Sequence, residues 1–319
     1  MELNVFSEAE YASKLQELEQ ELKSVRRSGY LTAFDGLELY YEHFPKEGAE
    51  ACLVLIHGFT EVSEKYHELC GYFRQAGYHV FLYDQRGHGL SGRQVSPLSL
   101  SHVDSYDDYC ADLEQYLREV VYPEAKGRPV YLFAHSMGCA VATLYLQKHP
   151  AEIGKTVMSS PMVIPVAPLP IWFLSWYTKR EGKKQGFTAR FPHTKDFDPN
   201  PVFEKSSDAS RSRFEQHIAM RRAEPRYQNA ASTHGWMHQT LNIHKKLLNK
   251  KALAAIETNI LMTQAGQDRV VYLKPQDKLK DLLPHCRKEV FPQAKHTIFY
   301  GDKETLSRYL RCVLDFLAG

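Results

Sequence analysis

Val130-Tyr131-Leu132-Phe133-Ala134-His135-Ser136-Met137-Gly138-Cys139-Ala140-Val141 runs from a continuous apolar stretch, through a His-Ser pair, into a helical pattern that continues to Lys148. A short apolar run of this kind suits a strand buried on both faces. Four more share its form: residues 52–56 ending at His57-Gly58, residues 79–83 ending at Asp84, and residues 155–158 and 260–263. Between them, residues 66–76 and 106–120 place apolar side chains three and four apart, the spacing of one helix face. Strand and helix therefore alternate. That predicts an α/β fold, with a mostly parallel central sheet and helices on both of its faces. In such sheets ligands bind beyond the carboxyl ends of the strands, where His57, Asp84 and Ser136 stand.

Working outward, residues 30–44 alternate as a hairpin does, with Asp35-Gly36 as the turn. An acidic, amphipathic helix precedes it, so residues 1–29 are expected to form an N-terminal helical extension. Downstream the rhythm breaks at Pro161 and resumes near Lys246, and strand-type runs return only at Ile260. The stretch between is rich in Pro, aromatics, Arg and His and reads as short helices and loops, residues 210–222 being the clearest helix. The expected organisation is a core of residues 30–160 and 246–319, carrying an inserted helical cap, or lid, at 161–245, a size compatible with a small domain. Residues 156–178 carry no charge and are long enough to span a membrane. Pro161, Pro165, Pro168 and Pro170 fall inside this run and would free backbone groups that lipid cannot satisfy. A span is rejected.

The composition, with 43% hydrophobic and 24% charged residues in a chain of 319, is that of a globular enzyme with a full core. A net charge of +2, with no gathering of basic residues on one face, argues against a nucleic-acid partner. Cys52, Cys70, Cys110, Cys139, Cys286 and Cys312 lie far apart, which points to free thiols rather than a disulfide framework or a zinc site. With no basic n-region and apolar h-region at the N-terminus, the expected location is cytoplasmic, or peripheral at the inner membrane surface.

Ser136 sits directly after a strand and before a helix, the setting in which a sharp turn exposes a nucleophilic serine. Its hydroxyl needs a base to take the proton and an acid to orient the base. His296, just beyond a short strand at residues 289–291, is the expected base. Asp268, just beyond the strand at 260–263, is the expected acid. Asp277, Asp281 and Asp302 compete less well, lying in apparent helices or past the histidine. A tetrahedral intermediate needs two fixed N–H donors, expected from the backbones of Met137 and Phe59. Asp84, Arg86 and His88 read as loop braces rather than reacting groups. His234 and His238 have helical spacing but lack the Glu and third ligand of a zinc site, so no metal and no cofactor is expected.

With these residues placed, the chain resembles the lysophospholipase L2 and monoglyceride lipase group of the α/β-hydrolases, of serine-aminopeptidase type. The likeness rests on Ala134-His135-Ser136-Met137-Gly138, on His57-Gly58, on Asp84-Gln85-Arg86-Gly87-His88-Gly89, and on Arg221-Arg222-Ala223-Glu224-Pro225 through His234-Gly235-Trp236-Met237. It implies an α/β-hydrolase fold, a Ser136–Asp268–His296 triad with Phe59 and Met137 as oxyanion hole, and an ester substrate with one acyl chain, either a lysophospholipid or a monoacylglycerol. Ile171, Trp172, Leu174 and Trp176 are then expected to line the acyl site or to make transient contact with a membrane surface. The basic cap (Arg211, Arg213, Arg221, Arg222, Arg226) suits an anionic or neutral head group better than the free amine of a peptidase substrate.

Overall fold

Eight strands pair edge to edge in the computed structural model, which describes residues 4–192 and 194–319. The first three residues of the expected N-terminal extension lie outside these. The elements in chain order are α1 (Tyr11–Val25), β1 (Arg27–Thr32), β2 (Glu38–Phe44), β3 (Ala51–Ile56), α2 (His67–Gln75), β4 (Tyr78–Tyr83), β5 (Leu100–Ser101), α3 (Tyr106–Tyr116), α4 (Tyr122–Ala125), β6 (Val130–His135), α5 (Met137–Lys148) and β7 (Lys155–Ser159). Then follow α6 (Ile171–Gln185), α7 (Arg211–Ala223), β8 (Ala231–Ser232), α8 (His234–Asn242), α9 (His244–Leu247), α10 (Lys250–Ala254), β9 (Asn259–Ala265), α11 (Leu273–Leu282), β10 (Cys286–Phe291) and α12 (Lys303–Ala318). The sheet order is β1-β2-β4-β3-β6-β7-β9-β10, and β5 pairs with β8 in a separate two-stranded ribbon.

From β4 to β10 every neighbour is parallel, and only the β1–β2 hairpin and its β2–β4 seam run antiparallel. All six residues of β3 and of β4 are buried, as expected of strands covered on both faces. Successive side chains point to opposite faces of a strand, so β3 feeds two cores. Cys52, Val54 and Ile56 join α3 and α5 on one face, while Leu53 and Leu55 join α1, α2 and α12 on the other.

The chain leaves the sheet after β7 and re-enters it at β9, and α6, α7 and α8 lie between. The uncharged run at 156–178 is β7, a proline-bearing loop, and the first two turns of α6, not one helix. Pro170 is the N-cap of α6, so all four prolines precede the helix instead of breaking it. That frees α6 to run for 15 residues, longer than the short helices the sequence suggests, until Gly186 at φ +98° ends it. No helix among the described residues is long and apolar enough to cross a membrane.

Candidate active site

The carboxyl ends of β6, β9 and β10 bring three side chains together. Ser136 follows β6 at φ +50° and ψ −114°, a region that non-glycine residues rarely occupy and that costs about 1–3 kcal/mol. Its backbone holds that turn by donating to Ser159 O (3.0 Å) and accepting from Cys139 (3.0 Å) and Met162 (3.1 Å). Helix α5 must then start hard against β3. A Cβ on Gly138 would lie 2.2 Å from the Ile56 carbonyl oxygen, so that position has room only for hydrogen. The requirement for a small residue thus falls on Gly138, two residues past the serine.

Ser136 Oγ lies 2.9 Å from His296 Nε2, and His296 Nδ1 lies 2.6 Å from Asp268 Oδ2. An ionised carboxylate only accepts, so the imidazole hydrogen sits on Nδ1 and Nε2 is left to accept from the serine. Asp268 Oδ1 accepts the N–H groups of Val270 (2.8 Å) and Val271 (3.0 Å). Burial pushes the Asp268 carboxyl up, but the hydrogen bond and charge of His296 and these two N–H groups outweigh it and hold the carboxyl below its ordinary value. The Ser160 hydroxyl donates to the His296 carbonyl (2.7 Å) and pins the loop. The competing acids are engaged elsewhere: Asp277 pairs with Lys288 (2.6 Å), Asp281 lies 3.4 Å from Lys280, and Asp302 caps α12 by accepting from Thr305 (2.8 Å).

Beyond β3 the loop Gly58-Phe59-Thr60 approaches the serine. Gly58 is required for space, not for an unusual φ: a Cβ there would meet Glu61 Oε2 at 2.8 Å and Ser136 Cβ at 3.2 Å, and the positive φ falls on Thr60. Among the described residues, the N–H groups of Phe59 and Met137 donate to no protein acceptor. The Phe59 ring stacks on Trp236 of α8 at 3.9 Å between centroids, joining this loop to the helices above the sheet.

Glu61, which belongs to no catalytic motif in the sequence, anchors that loop. Its Oε2 accepts from Gly58 N–H (2.7 Å) and Tyr66 Oη (2.6 Å), and its Oε1 accepts from Lys65 Nζ (2.6 Å). Burial alone would raise the Glu61 carboxyl, yet Lys65, His135 and these donors hold it well below its ordinary value. Its i,i+4 spacing to Lys65 was the one signal in the sequence. The Asp84 loop is a brace: the carboxylate accepts from Ser63 N–H and Leu90 N–H, both at 2.7 Å, and Arg86 grips Asp112 with two bonds of 2.6 Å. His57 is spent in the same way, accepting from Gln85 N–H at 2.9 Å.

Ser136, His296, Gly58, Phe59 and Glu61 open on a cavity of about 960 Å³. Its wall under α6 and α8 is apolar, with Phe173, Leu174, Tyr177, Met237 and Leu241. Of the four residues expected to line it from α6, Leu174 does. Ile171, Trp172 and Trp176 do not, because the 100° turn per residue sends Phe173, Leu174 and Tyr177 inward. Trp172 is 73% exposed and Trp176 51%. His234 and His238 lie apart from any such chemistry: His234 packs on Phe191, and His238 Nδ1 meets Thr178 at 3.2 Å.

A mostly parallel sheet with a Ser–His–Asp relay at its strand ends defines an α/β-hydrolase with a serine at the centre of its site. Residues 47–304 match the Hydrolase_4 family, described as serine aminopeptidase, S33, and the chain belongs to that family. Among its relatives are “Probable lysophospholipase L2” of Haemophilus influenzae, 29% identical and covering 90% of this chain and 91% of that protein, and lysophospholipase L2 of Escherichia coli K12, 26% identical over 91% and 87%. A soluble variant of monoglyceride lipase from Saccharomyces cerevisiae, solved with a substrate analogue, superposes with a TM-score of 0.72 at 20% identity, covering 92% of this chain and 95% of that one.

Proposed function

We propose that the chain is a serine esterase that cleaves the carboxylic ester of a lipid carrying a single acyl chain, a lysophospholipid or a monoacylglycerol. The observation that carries this reading is the Ser136–His296–Asp268 relay at 2.9 and 2.6 Å, opening on a cavity of about 960 Å³ with an apolar wall. The names of the relatives agree with it.

In the proposed cycle His296 Nε2 takes the Ser136 proton as Oγ attacks the ester carbonyl, and Asp268 steadies the imidazolium that forms. The N–H groups of Met137 and Phe59 hold the oxyanion. His296 then returns the proton to the departing glycerol oxygen, leaving an acyl-Ser136, and activates a water that releases the fatty acid. Residues 161–245 act as the lid over this site. Its outer lip, with Val166, Leu169, Trp172 and Trp176 exposed, makes transient contact with a lipid surface.

A peptidase reading has less support, because a free amine needs a carboxylate with vacant lone pairs. Of the three acids lining the cavity, Glu61 already accepts three hydrogen bonds, Asp198 is exposed, and burial raises the Asp208 carboxyl, which disfavours the charged form an amine would pair with.

The test is Ser136→Ala, assayed on p-nitrophenyl esters and with a fluorophosphonate probe. Turnover should fall by about 10³-fold or more and labelling should vanish. Retained turnover would sink the proposal.

A further inference from the structure

The five cap arginines have different fates. Arg213 is buried and grips Glu68 with bonds of 2.6 and 2.8 Å. Arg211 pairs with Glu204 at 2.8 Å, and Arg226 with Glu224 at 2.7 Å. Arg222 reaches the Pro199 carbonyl at 2.6 Å. Of the five, only Arg221 lines the cavity. It projects from α7 on the same face as Phe214, His217 and Ile218, which sit seven, four and three residues earlier and line the cavity too.

We propose that Arg221 and His217 form a subsite for the phosphate of a lysophospholipid head group, a proposal that rests on reading Ser136 as an esterase nucleophile for single-chain lipids.

The Arg221 guanidinium is held by two neutral acceptors, the carbonyls of Tyr227 (from Nε, 3.0 Å) and Asn229 (from Nη2). It stacks over Phe197 with Cζ 4.5 Å from the ring centroid. No carboxylate among the described residues lies within ion-pair distance of it, and Nη1 has no hydrogen-bond partner among them. Burial lowers this group to about 10, so it remains a cation at neutral pH. The acid whose charge reaches it is Glu61, already occupied by Lys65, Tyr66 and Gly58. A half-buried cation without a counter-ion is costly unless a ligand supplies the charge.

His217 is the second, independent observation. It is nine-tenths buried, lines the same cavity one turn away, and its Nδ1 has no hydrogen-bond partner among the described residues. Burial, with Lys65 and Arg221 nearby, keeps the ring neutral; Nδ1 is sealed off from the cavity, so the N–H offered to a phosphate oxygen is that of Nε2, which has no hydrogen-bond partner among the described residues. Arg221 and His217 line the same cavity as His135, Ser136 and His296, so a head group held there shares one enclosure with the reacting ester. Lys205 and Arg269 also line the cavity and are exposed, extending the positive field to its mouth. Asp208, a buried acid that lines the same cavity, makes no hydrogen bond or ion pair with Arg221 among the described residues. A planar guanidinium with free donors is the group best matched to a phosphate.

The test compares 1-oleoyl-lysophosphatidylethanolamine with 1-monoolein on wild type, Arg221→Gln and Arg221→Lys. The lysophospholipid-to-monoolein ratio of kcat/KM should fall about 10- to 100-fold in Arg221→Gln and recover in part in Arg221→Lys. A ratio that does not move overturns the subsite. Calorimetric titration of wild type with sn-glycerol 3-phosphate and with glycerol gives a readout that needs neither a folded variant nor turnover. The phosphate compound should bind at least about tenfold more tightly, and equal binding would also overturn the proposal. Absence of ester turnover together with preferential binding of the phosphate compound would refute the esterase reading and leave the subsite standing.

Discussion

Replacing Glu61 with Gln removes the charge from a carboxylate that is 6% exposed and leaves the Lys65 ammonium, 8% exposed, without its counter-ion. Breaking a buried pair from one side costs about 3–5 kcal/mol, whereas replacing both members with apolar or neutral groups is often close to neutral. The ammonium keeps its position over the Tyr300 ring at 4.6 Å, which offsets part of the loss. The expected destabilisation of Glu61→Gln is therefore at the lower end, about 3 kcal/mol. The double variant Glu61→Gln/Lys65→Met should return to within about 1.5 kcal/mol of wild type, a coupling that a double-mutant cycle in urea reads from the midpoints. Because Glu61 is held well below its ordinary value, its contribution is present above the unfolded-state value of about 4.3 and is lost only as pH falls toward the lower folded-state one. The wild-type advantage over Glu61→Gln should thus be flat between about pH 5 and 8 and shrink in stronger acid. Slack in Gly58-Phe59 should also lower kcat by up to about 100-fold, with little change in KM. A loss below about 1 kcal/mol, or a double variant no more stable than the single one, would refute the buried-pair account.

Gly138→Ala should lower stability by about 3 kcal/mol, since its Cβ would overlap the Ile56 carbonyl oxygen at 2.2 Å and the obstructing atoms are backbone that cannot swing aside; an unchanged urea midpoint would mean that α5 does not start against β3. Trp172→Ser/Trp176→Ser should move stability by no more than about 0.5 kcal/mol per site. Its ratio of turnover on micellar lipid to turnover on a monomeric ester should fall about tenfold. A ratio equal to that of wild type would remove the surface-contact reading of the lip.

What could be read from the sequence was local or ordered along the chain. The apolar runs at 52–56 and 130–134 announce buried parallel strands because both faces of those strands are covered. Ser136, Asp268 and His296 could be named from strand-end position and chain order, and the structure brings them within hydrogen-bond distance. What could not be read depends on rotation and on distant partners. Nothing in residues 171–177 says that Phe173 and Tyr177 turn inward while Trp172 and Trp176 face out, because that is set by how α6 lies on α8. Likewise Arg213 and Arg221 look alike in sequence, and only Glu68, 145 residues before Arg213, separates a structural cation from one with donors to spare.

The two walls of the cavity rest on unequal foundations. Helix α7 is bolted to α2 through Arg213 and Glu68, and the N-terminal segment straps it down: Phe6 O accepts from Arg213, and the Glu8 carboxylate accepts from Ser212 N–H at 2.9 Å. Helix α6 buries only Thr178 and Gly182 fully, whereas α7 buries Arg213, Phe214, His217 and Ile218. Segments with few buried contacts open at lower free energy. Opening of the enclosure is therefore expected on the α6 side, with α6 and α8 moving together, while α7 stays as a fixed jamb; a deletion reaching Glu8 is expected to loosen that jamb, turning a door with one hinge into one with two.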